Sequence, residues 1–290
     1  MAPSFDQQAL AQDVTRNKKE TALEKISQGV PLPGVPKFTD VELQRQHMLN
    51  HMAGAFRVFA RHGFVEGMSG HISLRDPEFP DRFWTNPLGL HFGLINPSDM
   101  MLVDESGVAI GGNTTRPVNA AGFLIHAALH KCRPDVIAAC HFHSTYGKAW
   151  SAFAQPLEML NQDVAMFYGK AQSVYKEFGG VVLKEEESVA LASALGNEGK
   201  GMILKNHGLI TVGSSVNEAA YLFMLMEKSC QIQLAADAAA AAVGRKKVYI
   251  DDDAARFTFE NTSEPESLYA EFQVYLQYEA AVSHDGYKAF

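Results

Sequence analysis

Apolar side chains recur at helical spacing through Val41, Met48, Leu49, Met52, Phe56 and Phe59, which predicts a helix ending near His62-Gly63. Thr39-x-x-Glu42 reads as the capping box that opens it. The alternation in HISLRD, after the Gly/Ser turn GMSG, predicts a short strand. RFWTNPLGL and DMMLVDESG, bounded by Pro, Asn and Gly, read as two more strands, and GVAIGG as a further hairpin arm. Pro117 and Asn119 mark the start of a helix running to about Lys131, with Asn119 as its cap. Arg133-Pro134-Asp135 is a turn, VIAACHFH a buried strand and YGKAWSAFA a helix. GGVVL and GMILK read as strands around the helix SVALASAL, which Gly196 stops, and LITVG is another strand. Ser215-x-x-Glu218 opens a long helix whose apolar positions include Ala219, Leu222, Phe223, Met226, Cys230 and Leu234, a stripe that belongs to the core. Residues 264–282 form one more helix. Strands alternating with helices predict an α/β fold with a central β layer flanked by helices.

Composition narrows the class. A chain of 290 residues, 47% hydrophobic and 20% charged, suits one domain with extensions. Residues 1–38, polar and then rich in Gly and Pro, read as a flexible tail. Residues 39–245 read as the domain and 246–290 as an extension with one helix. A net charge of −8 argues against nucleic acid, and the basic run Arg245–Lys247 is followed at once by Asp251, Asp252 and Asp253. No stretch is apolar enough to predict a membrane span. Three cysteines, Cys132, Cys140 and Cys230, without framework spacing and without a signal peptide, point to a reducing, cytoplasmic setting.

The chemistry concentrates in histidine. His141 and His143 sit two apart at the end of an apolar strand, so alternation turns both to one side. His207, in ILKNHGLITVG, leaves another apolar run. Together they offer three neutral nitrogens to one ion with coordination positions left open. Cys140 points to the opposite face and reads as core. His126 and His130, at i and i+4, share a helix face. His71, the first residue of HISLRD directly after the GMSG turn, is the first candidate for a catalytic side chain, followed by His126 and by Tyr146 as a proton donor. Gly70, Asn119, Gly122 and Gln162 are candidate substrate contacts. Lys148 could steer an anion, and Glu158 and Asp163 share the PLEMLNQD loop with Gln162.

GMSGHISLR, TNPLGLHF, NAAGFLIHAALHKCRPDVIAACHFHS and LKNHGLITVGSSVNEAAYLF, in that order over residues 45–240, resemble the class II aldolase/adducin family, and most closely its adducin-like branch. The resemblance implies a three-layer α/β/α fold with a central, mostly antiparallel sheet. It also implies a divalent metal on His141, His143 and His207, and a homotetramer. In the family's sugar-phosphate aldolases a Glu beside the metal moves the proton. The matching position here is Gly122, and the phosphate-holding serines before it are Ala120 and Ala121. His71 stands where a phosphate-loop Asn is usual, and Leu88 replaces a hydroxyl residue. Charge-assisted hydrogen bonds are worth about 1.5–3 kcal/mol each, so these losses argue against a phosphorylated substrate.

The expected function is metal-dependent carbon–carbon cleavage in a small α-hydroxy, α-keto or α-amino acid. O₂-dependent oxidative decarboxylation at Fe(II) is placed first, because Gly122 removes the aldolase base, and related decarboxylating oxygenases with non-haem iron offer an analogy. A Zn(II) aldolase or lyase on a non-phosphorylated substrate is the alternative. A non-catalytic adducin-like module is the second alternative.

Overall fold

A computed structural model describes residues 21–180, 185–284 and 286–288. Its eight strands are β1 His71–Arg75, β2 Arg82–Thr85, β3 Met101–Asp104, β4 Ala109–Gly112, β5 Ala138–Phe142, β6 Gln172–Tyr175, β7 Gly201–Leu204 and β8 Gly208–Gly213. They form one sheet in the order β4-β3-β2-β1-β5-β8-β7-β6. Every pairing is antiparallel except β6 with β7. The helices among the described residues are α1 Ala22–Ile26, α2 Val41–Arg61, α3 Ala120–Cys132, α4 Thr145–Ser151, α5 Glu185–Leu195, α6 Val216–Val243, α7 Asp252–Thr262 and α8 Pro265–Val282. The mostly antiparallel sheet between two helical layers is the expected architecture.

Strand alternation divides the core. Ile72 and Leu74 of β1 and Ala138, Cys140 and Phe142 of β5 pack with Phe56 and Phe59 of α2, Phe223 and Met226 of α6, and Leu268 and Phe272 of α8. On the other side Ala139, Met202, Ile210 and Val212 meet Ile125 and Leu129 of α3 and Leu191 and Leu195 of α5. Cys140 therefore lies in the core, and Phe223–Met226 is buried packing, both as expected.

Local chemistry moves several boundaries. Helix α2 is capped by Asp40, whose carboxylate accepts from the Glu42 and Leu43 amides, so Thr39 is not the cap. Residues 21–38 are not wholly a tail. Thr21 and Glu24 form a capping box on α1, which buries Ala22 and Leu23 and ties the Ala22 amide to the Glu264 carboxylate. The extension beyond residue 245 holds two helices rather than one. Asp251 caps α7, and the acidic run after it lies in the first turn, where a helix N-terminus favours negative charge. Strand β6, pairing at the sheet edge with β7, lies just before the GGVVL segment read as a strand. Gly179 and Gly180 are not in a strand, and residues 181–184 lie outside the described residues.

Candidate metal centre

β1 and β5 run antiparallel with His71 opposite His141, so both imidazoles rise from the α3 side of the sheet. His143 follows directly after β5. His207 is carried by the β7–β8 hairpin, in which Asn206 adopts φ +56°, a left-handed conformation that Asn tolerates better than most residues. The Asn206 amide donates to the Ser151 carbonyl at 3.1 Å, which fixes the hairpin against α4. Asn206 thus orders the turn that delivers His207.

The three rings form a near-equilateral triangle, with centroids 5.2, 4.7 and 4.9 Å apart for His141–His143, His141–His207 and His143–His207. One ligating atom from each lies within 4.8 Å of those of the other two. His141 Nδ1 is 2.8 Å from the Leu209 carbonyl, which only accepts, so Nδ1 carries the hydrogen and Nε2 is left bare. This is the usual support of a metal-binding histidine. Burial drives His141 well below the ordinary imidazole range. Burial, with His143 nearby, takes His207 to about 4. Burial also lowers His143. Neutral imidazoles are the form that binds metal, so the donor set fits a divalent ion.

The triad opens into a cleft of about 610 Å³ that also takes in Glu66, Ser69, Gly70, His71, Asn119, Gly122 and Lys148. A Cβ built on Gly122 would fall 2.3 Å from His71 Nε2, so the His71 ring occupies the space that a longer residue at position 122 would enter. Asn119 caps α3, its Oδ1 accepting from the Gly122 amide at 3.0 Å, and lines the cleft as well. His126 lies beneath the cleft rather than in its wall, 1% exposed, with Nε2 2.7 Å from His71 Nδ1.

Two candidates are not brought here. Tyr146 lines a separate cavity with His62, Asp163 and Tyr221, because α4 turns it away from the triad. Gln162 is exposed and does not line the cleft. Glu158 and Asp163 are likewise elsewhere, Glu158 pairing with Lys247 and Gln233. His91 caps a short turn through the Gly93 amide. Glu66 went unanticipated. It faces the cleft in an ion pair with Lys148, which holds its carboxyl below the ordinary range and neutralises both charges. Only the preceding turn, VEGMSG, could have pointed to it.

Residues 50–234 match the family described as Class II Aldolase and Adducin N-terminal domain, and the chain belongs to that family. Decarboxylase NovR of Streptomyces niveus is 42% identical over 206 residues, covering 70% of this chain and 75% of NovR. A protein of Streptomyces roseochromogenus subsp. oscitans, 4-hydroxy-3-prenylphenylpyruvate oxygenase/4-hydroxy-3-prenylbenzoate synthase, is 41% identical over 209 residues, covering 71% and 74%. Among solved structures, an L-fuculose 1-phosphate aldolase from Glaciozyma antarctica PI12 superimposes with a TM-score of 0.80 at 39% identity, over 88% of this chain and 97% of that one. With its converging histidines, the chain takes its place among this family's metal-dependent enzymes of carbon–carbon bond cleavage.

Proposed function

We propose that this enzyme oxidatively decarboxylates a small α-hydroxy, α-keto or α-amino acid with O₂, on His141, His143 and His207 holding Fe(II). The observation that carries the reading is the ligand set: three neutral imidazoles and no carboxylate among them. When bound there, a divalent ion supplies a full double positive charge that attracts a chelating carboxylate, and Fe(II) adds the capacity to reduce O₂. As CO₂ leaves, the two electrons of the broken carbon–carbon bond, with two protons, would reduce one O₂ to hydrogen peroxide: an α-hydroxy acid would leave as the aldehyde, an α-amino acid as the imine, and an α-keto acid, taking up one water, as the shorter carboxylic acid.

The remaining work falls to the protein. Gly122 keeps the floor of the cleft free of a carboxylate, so the proton chemistry of an aldolase Glu is missing at that position. His71 takes up the space instead. Asn119 and Gly70 flank the substrate, and the Glu66–Lys148 pair closes one side without adding net charge. Holding substrate and oxidant in one small cleft favours reaction by positioning. The names of the two Streptomyces relatives, a decarboxylase and a prenylphenylpyruvate oxygenase, support this reading. We also propose a homotetramer, for which the outward Val274 and Tyr278 of α8, 62% and 60% exposed, offer an apolar contact.

A Zn(II) lyase is the second reading, favoured by the likeness to the Glaciozyma aldolase. Ala120, Ala121 and Leu88 argue that its substrate would not be phosphorylated. The test is to reconstitute the protein with Fe(II) or Zn(II), supply a panel of such acids, and measure O₂ uptake and CO₂ release together. Coupled uptake and release with Fe(II) alone supports oxidation. Equal cleavage under strict anaerobiosis with Zn(II) would assign the enzyme to the lyases.

A further inference from the structure

A line of hydrogen bonds runs beneath the cleft from a backbone carbonyl to the cleft wall. The Val136 carbonyl is 3.1 Å from His130 Nδ1. His130 Nε2 is 2.7 Å from Ser73 Oγ, and Ser73 Oγ is 2.5 Å from His126 Nδ1. His126 Nε2 is 2.7 Å from His71 Nδ1. Ser73, His126 and His130 are each 1% exposed, and His71 is 6% exposed. The geometry follows from alternation: His71 and Ser73 are i and i+2 on β1, and His126 and His130 are i and i+4 on α3, so two pairs from facing elements interleave.

The carbonyl sets the direction. It can only accept, so His130 Nδ1 carries the hydrogen. A neutral imidazole has one N–H, so His130 Nε2 accepts, and the single Ser73 hydroxyl hydrogen is donated to it. The Ser73 oxygen then accepts from His126 Nδ1–H, and His126 Nε2 accepts from His71 Nδ1–H. His71 Nε2 is left bare. Running the line backwards would set the lone pair of His130 Nδ1 against the Val136 oxygen. The second hydrogen of Arg75 Nη2, whose first goes to the His130 carbonyl at 2.8 Å, is a poorer partner for Nδ1, at 3.5 Å against 3.1 Å for the Val136 oxygen, and would leave that oxygen facing the lone pair. Burial keeps the rings neutral: it lowers His71 and His126 strongly and takes His130 to about 3.

We infer that the Val136 carbonyl, through His130, Ser73 and His126, locks His71 in its Nδ1–H tautomer and presents a bare Nε2 to the cleft as a hydrogen-bond acceptor beside the histidine triad. The bare nitrogen has no hydrogen-bond partner among the described residues, and its ring packs against Gly122 while lining the cleft that holds the triad. It selects ligands that bring a hydrogen donor there: the hydroxyl of an α-hydroxy acid, the ammonium of an α-amino acid or the enol hydroxyl of an α-keto acid. His130, Ser73 and His126 are positioning residues that act through His71. The role of Nε2 rests on the cleft being the active site, but the tautomer is measured without turnover, so the two ideas fail separately.

The experiment is two-bond ¹H–¹⁵N correlation spectroscopy on the full chain with ¹⁵N-labelled histidine, metal-free and loaded with Zn(II). His71 is assigned by its absence from His71→Gln. The expected wild-type spectrum shows His71 protonated at Nδ1 and bare at Nε2. Ser73→Ala should move His71 toward a mixture of tautomers, and Ser73→Thr, which keeps the hydroxyl, should restore the wild-type pattern. A wild-type His71 protonated at Nε2 overturns the inference, whether or not Ser73→Ala folds. An unchanged tautomer in folded Ser73→Ala would also overturn it.

Discussion

The two faces of strands β1 and β5 differ in almost everything except their backbone. On one face Ile72, Leu74, Cys140 and Phe142 are fully or almost fully buried among the aromatic rings of α2 and α6. On the other, His71, Ser73 and His141 carry hydrogen bonds and a cleft. One face holds the sheet in place by removing apolar area from water. The other accepts the cost of burying polar rings, and offsets it by pairing the Nδ1 of each, His71 with His126 and His141 with the Leu209 carbonyl. Alternation along a strand keeps the two tasks one residue apart, so substitutions on the two faces should have separable effects.

The largest effect is expected on the apolar face. Phe142 sits edge-on to Phe59 at 4.7 Å and touches Phe56, Phe92 and Phe223. Phe142→Ala should cost about 3–5 kcal/mol in denaturant unfolding, the usual range for an emptied aromatic site. A loss below about 1 kcal/mol would mean that this face is not the source of stability.

On the polar face Gly122→Ala should cost about 1–3 kcal/mol, because the new Cβ would meet His71 Nε2 at 2.3 Å and the ring is hemmed in by His126. A crystal structure of the variant should show His71 displaced. An unmoved His71 would break the claim that it fills the space beside residue 122.

Acid should weaken the polar face before the apolar one. Burial, followed by the charge of Arg75, places His130 at about 3 in the folded protein, against about 6.5 in the unfolded chain. The unfolded chain therefore binds the extra proton first. Stability is complete above pH 6.5 and is lost as pH falls from there toward 3, by at most about 1.4 kcal/mol per pH unit for each such histidine. His51, at about 4 through burial on the other side of the sheet, adds a contribution over a narrower window. Denaturation curves between pH 7.5 and 5 check the slope; a flat profile would contradict a buried neutral network.

The smallest effect tests a cap shared by fold and cleft. Asn119→Ala removes the acceptor of the Gly122 amide and should cost about 1 kcal/mol of stability in the same unfolding assay. Asn119→Asp should retain most of it.

The comparison also explains what could be read from the chain. The histidine triad was legible because strand alternation turns His141 and His143 to one side and His207 ends its own apolar run. The caps at Asn119 and Ser215 were legible because capping is a local interaction. The line from His71 to Val136 was not, since it depends on the register of β1 against β5 and on how α3 lies over both. His126 and His130 could be placed on one helix face, but not over Ser73. Tyr146 and Gln162 were misplaced because the direction of the chain after β5 is set by tertiary packing. Glu227, far along α6, draws the start of α4 toward itself by accepting from the Tyr146 and Gly147 amides. Strand β6 escaped notice because its edge position leaves Gln172, Ser173 and Val174 only half-buried, without a clear alternation.

The central claim is that His141, His143 and His207 together hold one divalent ion that the fold does not need. It is tested most directly by metal analysis of anaerobically purified wild type and His143→Ala, with circular dichroism on both. The account predicts one ion per wild-type chain, iron in preference to zinc, and its loss from the variant, with the two spectra superimposing. Wild-type stoichiometry in His143→Ala, or loss of the fold together with the metal, would contradict it.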